Sequence, residues 1–278
     1  MAVDQELDVR HSAERLLDER LAVQRTIFDH VAIGTRTLAD GWQLFGGLLG
    51  GTWVYGGDSP GYWWGQLRFG AGPKIELLTP VSGADGAFLE RFLASRGPGP
   101  HHFTFIVADL RQTLSDVRAN GIEPVGVDMS NDAWKEAFLH PRDAHGVVIQ
   151  LAEQSATPEL APPADLPEPG PASAFERVEH HVTDISGATK LFTRLLDAEL
   201  ITPAGSKTPH VAELTWTNGA RLRLVGPAAD AAGPTAPASN ARTHLHFTRV
   251  NAQLSPDDAS RAAQLARRLG TSVHLHGA

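Results

Sequence analysis

The chain contains no cysteine, which excludes disulfides, zinc–thiolate sites and a cysteine nucleophile, and agrees with a reducing compartment. Nor does any apolar run approach the roughly 18 residues that a membrane helix requires. The first ten residues, MAVDQELDVR, are acidic where a secretory leader is basic and then apolar. A cytoplasmic protein with no membrane partner is expected. Basic stretches are missing as well: the net charge is -8, and the 24 Lys and Arg are scattered rather than gathered into a stripe. Nucleic acid is therefore not expected as a partner. Gly46, Gly47, Gly50 and Gly51 are not followed by the Gly-Lys-Ser/Thr of a phosphate loop.

What is present supports a packed core. With 278 residues, 42% of them hydrophobic, the chain suffices for one large or two medium domains. Residues 5 to 26 space Ala13, Leu16, Leu17 and Leu21 as an amphipathic helix. The stretch EQSATPELAPPADLPEPGPAS, residues 153 to 173, has the Pro/Ala composition of a semi-rigid linker. The expected organisation is an N-terminal helix (1–26), a first domain (27–153), a linker (154–173) and a second domain (174–278).

Within residues 27 to 153 one order of elements occurs twice. FDHVAIGT reads as a strand, LADGWQLFGGLLG as a helix, and GTWVYGG, GYWWGQLRFG and GPKIELLTP as three strands separated by turn residues. After a helical GAFLERFLASRG the order restarts with the strand HHFTFIVAD, the helix LRQTLSDVRANG and three further strands, IEPVGVDM, WKEAFLHP and GVVIQLAE. These are two βαβββ units.

The repeat brings four polar residues into register. His30 and His102 lie in the first strands of the two units, Glu76 and Gln150 in the last, at intervals of 46 and 48 residues. Strand alternation allows only one of the adjacent His101 and His102 to face inward, and the apolar pattern selects His102. A pseudo-twofold pairing of the units would converge two imidazoles, a carboxylate and an amide oxygen. That set suits a divalent ion such as Co, Mn, Ni, Fe or Zn, with positions left for water or substrate.

The blocks DHVAI, IELLTP, GPGPHHFTF with VADL, and FLHPRDAHGVVIQL resemble, in order and spacing, the vicinal oxygen chelate superfamily, in particular its methylmalonyl-CoA epimerase and glyoxalase I members. The resemblance spans about 125 residues. It implies an α+β fold of paired βαβββ units (glyoxalase/bleomycin-resistance-like), in two tandem domains of which the second is partial. It also implies a metal held by His30, Glu76, His102 and Gln150 that activates a small carbonyl or acyl substrate through an enolate. Two departures stand out. The epimerase pattern has Gln in the first unit and Glu in the last strand, the reverse of Glu76 and Gln150. The position resembling the epimerase's non-ligand glutamate holds Gln66, and an amide cannot act as a base. Glu136 and the ligand Glu76 are then the candidate bases, and Gln66 and Trp64 are expected in the substrate pocket. His140 and His145 are assigned to a turn, and most of Trp42, Trp53, Tyr62 and Trp63 to the core.

Residues 174 to 278 read as a decayed copy. Arg223 stands in the place of Glu76, and no fourth ligand strand at the expected distance from His244 can be completed. His180, His181, His244 and His246 are not expected to form a second four-ligand centre. A scaffold, lid or dimer surface is expected, with Glu213 and Arg223 in a polar pocket, and the resemblance allows a homodimer. The expected function is a metal-dependent isomerase or lyase. A non-haem iron dioxygenase or a non-catalytic small-molecule-binding member are the alternatives.

Overall fold

The computed structural model describes residues 26–81, 87–155, 161–164, 166–201, 210–227, 242–250, 253 and 255–277. The amphipathic helix expected over residues 5 to 26 lies outside them except for Thr26, which opens the first strand.

The first sheet contains the strands β1 (Thr26–Gly34), β2 (Thr52–Ser59), β3 (Tyr62–Arg68), β4 (Lys74–Pro80), β5 (Gly99–Val107), β6 (Val125–Asp128), β7 (Trp134–Leu139) and β8 (Val148–Gln154). Their order is β2-β3-β4-β1-β5-β8-β7-β6. At its centre β1 runs antiparallel to β5. β4 lies parallel to β1, and β8 parallel to β5. The last strand of each unit therefore flanks that unit's first, and the four strands expected to bear the site stand side by side.

Each unit crosses over through a helix whose ends are written in the sequence. In the first, α1 (Leu38–Trp42) begins at Thr37, whose hydroxyl accepts from the Asp40 amide, and continues as a π turn over Gln43–Leu48. Helix α2 (Ala87–Arg96) joins the units. In the second unit, the Asp109 carboxylate caps α3 (Leu110–Ala119) by accepting from the Gln112 amide at 2.9 Å. The buried face of α3 is Leu110, Leu114 and Val117, and Gly121 (φ 78°) turns the chain out of it.

The second sheet repeats the plan and abbreviates it. Its strands are β9 (Ser173–His181), β10 (Glu199–Ile201), β11 (Val211–Thr215), β12 (Arg221–Val225), β13 (Thr243–Arg249) and β14 (Ser272–His276), in the order β10-β11-β12-β9-β13-β14. Helix α4 (Ile185–Arg194) follows β9, and α5 (Pro256–Arg268) follows β13. Here β14 comes directly after α5 and lies parallel to β13, in the place β8 takes beside β5. The fourth ligand strand that the spacing seemed to rule out is thus present, without the edge hairpin that precedes it in the first sheet.

The two sheets share one hydrophobic core. Phe28 of β1 stacks on Phe105 of β5 (ring centroids 4.9 Å) and meets the edge of Trp216 at 5.4 Å. Asn218 donates to the Phe28 carbonyl at 2.9 Å. The Pro/Ala stretch lies against the first unit over its C-terminal part: the Trp42 indole donates to the Pro167 carbonyl at 3.1 Å, and the Gly170 amide to Gly46 at 3.1 Å. A Cβ at Gly170 would lie 1.9 Å from the Gly47 carbonyl oxygen, so only glycine fits. The fully buried Arg249 donates to the carbonyls of Leu48 and Pro171, binding β13 to both. No helix among the described residues is long and apolar enough to cross a membrane.

Candidate metal centre

Two β-bulges shape the site. In the β1–β5 pairing, Phe28 opposes Phe105 and His30 opposes Thr104, leaving Asp29 as an extra residue; Ala32 opposes His102 and Ile33 opposes Pro100, leaving His101 extra. A bulge breaks the alternation of faces. Asp29 accordingly reaches back to His30, with Oδ2 2.8 Å from Nδ1. His101 lies beside His102, their Nδ1 atoms 2.8 Å apart. The expectation that alternation would turn His101 away is corrected here: its ring packs on Phe92 at 4.8 Å and supports its neighbour. Sequence alone does not single out Asp29 and turns His101 outward, because a bulge leaves no mark in a two-residue period.

Both imidazoles thereby spend Nδ1 on a neighbour and present Nε2 to the same space. The Nε2 atoms of His30 and His102 are buried with no hydrogen-bond partner. Their ring centroids are 5.9 Å apart, and the Glu76 Oε2 lies 3.5 Å from His30 Nε2. His30, Glu76 and His102 each offer one donor atom within 4.8 Å of the others. Buried imidazole nitrogens left unpaired around a carboxylate fit a divalent cation, since unpaired buried polar atoms are otherwise costly. A carboxylate on the far nitrogen of a ligating histidine is the usual outer support of such a centre.

Gln150, the fourth expected donor, is 7% exposed and borders the same space. Its Oε1 accepts from the Thr104 hydroxyl at 2.6 Å, and its Nε2 donates to Glu136 Oε2 at 2.7 Å. Gln66 donates to Glu76 Oε2 at 2.8 Å, while its own Oε1 is buried without a partner. Glu136 Oε2 also accepts from the Trp134 indole at 2.9 Å. A cavity of about 360 Å³ opens over these groups, walled by Tyr55, Tyr62, Trp64, Gln66, Glu76, Trp134, Glu136 and Gln150 among others. The five expected site residues that are not histidines, Glu76, Gln150, Glu136, Gln66 and Trp64, and the two histidines therefore converge from β1, β3, β4, β5, β7 and β8. Tyr55 and Trp134 are additional wall residues.

The charges are arranged around His30. Burial pushes its imidazole down, but the Glu76 carboxylate and the Asp29 hydrogen bond together outweigh that and raise it to about 9. Burial raises Asp29, yet His30 and the buried Lys74, whose Nζ is 2.9 Å from Asp29 Oδ2, bring it to about 2. Glu76 is likewise held below the usual carboxylate range by His30 against the effect of burial. Burial, with His101 and His30 nearby, holds His102 well below the ordinary histidine value. A cation would take the place of the His30 proton while keeping the Glu76 attraction.

Residues 29–138 match the model of the Glyoxalase/Bleomycin resistance protein/Dioxygenase superfamily. A 129-residue stretch is 28% identical to the uncharacterized protein YqjC of Bacillus subtilis (strain 168), covering 45% of this chain and 90% of the relative. Methylmalonyl-CoA epimerase from Mycobacterium tuberculosis is 29% identical, with a TM-score of 0.40 over 46% of this chain and 88% of that one. A mutant of 4-hydroxymandelate synthase from Streptomyces coelicolor is similar over both sheets, covering 87% of this chain and 76% of its own, with a TM-score of 0.51 at 12% identity. At that identity the likeness is one of fold.

Proposed function

We propose that the first unit, residues 27–153, is a divalent-metal-dependent isomerase or lyase acting on a small carbonyl or acyl substrate, and that residues 174–278 serve it as scaffold. The observation that carries this reading is the pair of His30 and His102 imidazole nitrogens, buried without a hydrogen-bond partner and gathered with Glu76, which lines the adjoining cavity. His30, Glu76, His102 and Gln150 would hold the ion, Gln150 by turning its amide oxygen from Thr104. When bound, the ion supplies Lewis-acid stabilisation of the charge that develops on a substrate carbonyl oxygen.

The chain's own groups supply the rest. Glu136 stands on the cavity wall and accepts from Gln150 and Trp134, so it is a carboxylate positioned to take a proton from the carbon beside a carbonyl. Glu76, engaged by Gln66 and His30, acts as ligand. The unpartnered Gln66 Oε1 accepts a hydrogen bond from the substrate. Trp64 and Tyr62 exclude water from the reacting carbon.

The test is solvent-deuterium exchange, followed by proton NMR, into small acyl thioesters and α-hydroxycarbonyl compounds by Co²⁺- or Mn²⁺-loaded protein. Exchange that Glu136→Gln abolishes while retaining metal is expected. A second reading has one observation in its favour: His30, Glu76 and His102 cluster while Gln150 is engaged elsewhere, and two histidines with one carboxylate form the facial triad of ferrous oxygenases. Oxygen uptake by the Fe²⁺-loaded protein, with no exchange, would overturn the isomerase in favour of that oxygenase.

A further inference from the structure

The second sheet does not repeat the first centre. In the first sheet His30 pairs with Thr104, and Thr104 with Gln150. In the second, Arg177 pairs with His246, and His246 with His274. Arg177 therefore stands where His30 does, and Arg223, paired with Glu179, where Glu76 does. Two guanidinium groups occupy ligand positions, which rules out a copy of the first site.

A different donor set lies on the same strands. Glu179, His181 and His244 each offer one atom within 4.8 Å of the others, all half-buried. The His181 Nε2 is 3.1 Å from Glu179 Oε1, and the rings of His181 and His244 are 5.1 Å apart. From the neighbouring strand, His274 Nε2 comes to 3.2 Å from His244 Nδ1. Donors about 2.0–2.1 Å from a tetrahedral ion lie about 3.3 Å from one another, and both short pairs have that separation. Glu213 Oε1 lies 3.3 Å from Arg223 Nε and takes up its charge, leaving Glu179 at 3.8 Å as the more distant partner. His180, by contrast, is buried and points away, with its ring nitrogens on Thr243 and the His145 carbonyl.

We propose that Glu179, His181 and His244, with His274 as fourth donor, form a second transition-metal site, separate from the first and built on the histidines of β9, β13 and β14. Three imidazoles and one carboxylate select zinc, nickel or copper over magnesium or calcium. An ion there ties three adjacent strands together across the half-buried face.

The experiment is a Zn²⁺ titration of the full chain by calorimetry, with retained metal counted by elemental analysis. The wild-type chain is expected to bind two equivalents. His181→Gln with His244→Gln should lose one, with at least a tenfold fall in affinity there, and His30→Gln with His102→Gln should keep that one. A single wild-type equivalent that disappears in the His181/His244 variant supports this site and defeats the first. As many equivalents in that variant as in the wild type would overturn the proposal. Cu²⁺ added to the His30/His102 variant gives a second readout: nitrogen hyperfine structure from several imidazoles is expected in its electron paramagnetic resonance, and an aquo-copper spectrum overturns the site.

Discussion

Asp29 Oδ2 accepts from His30 Nδ1 at 2.8 Å and at the same time pairs with Lys74 Nζ at 2.9 Å. One carboxylate thus orients the first imidazole and neutralises a lysine that is 5% exposed.

Asp29→Asn is expected to weaken metal binding about 10- to 100-fold, the usual cost of losing an outer-shell partner, and to destabilise the fold by leaving Lys74 buried and unpaired. Adding Lys74→Met should restore stability and leave metal affinity low. Calorimetric metal titration beside urea denaturation separates the two effects; recovery of affinity in the double variant would show that Asp29 acts only through Lys74.

The exchanged ligand pair has a third party. Glu76→Gln with Gln150→Glu conserves ligand count and charge, but it sets a carboxylate where the Gln150 amide now donates to Glu136 at 2.7 Å. Like charges at that distance repel, so the double variant is expected to hold metal weakly. Adding Glu136→Gln restores a donor–acceptor pair, and elemental analysis should show metal retained near one equivalent in the first site.

Gln66→Ala removes a buried amide whose oxygen faces the cavity. A rise in KM larger than the fall in kcat, with the pH profile of kcat unchanged, is expected. Loss of a titrating limb would mean that Gln66 controls the base.

Glu153 supplies a pH-dependent element of stability away from the site. Its Oε1 accepts from Lys135 Nζ at 2.7 Å, and its Oε2 accepts from the Leu110 amide, at the N-terminus of α3, at 2.8 Å. Lys135 first, and the Leu110 amide with it, hold this carboxyl below the usual glutamate value. The folded chain binds the proton less readily than the unfolded one, so the stabilisation is present above the unfolded glutamate value and disappears as pH falls through the folded one. Glu153→Gln should cost about 0.3–1 kcal/mol at neutral pH and progressively less as the pH falls below the unfolded glutamate value, measured by urea denaturation across that range.

The sequence showed the repeat and its four donors because a duplicated βαβββ order fixes spacing, and spacing survives where side chains vary. Glu76 and Gln150 were legible for that reason, whereas Gln66 and Glu136 came from the resemblance to the epimerase. Asp29 and His101 were not legible, because each is the extra residue of a bulge, and the alternation used to read a strand assigns such a residue to the wrong face. The donor set on β9, β13 and β14 was missed on other grounds. The last strand does not stand at the first unit's interval, because the missing edge hairpin changes that interval without changing the strand's partner.

Trp216 packs its ring against Phe28, Phe105 and Phe192, and its indole donates to the Leu196 carbonyl at 2.7 Å. Trp216→Ala is expected to cost about 3–5 kcal/mol, and calorimetry should show one unfolding transition at a lower temperature. Two separate transitions would show that the sheets melt independently.

Phe28, which bears on Trp216, precedes His30 by two positions on a single strand. The route from the abbreviated copy to the donor atoms therefore runs through one rigid segment and crosses no loop. Loss of the Trp216 ring bears directly on the strand that carries His30. Cutting between the two sheets would leave each half with an apolar face in water.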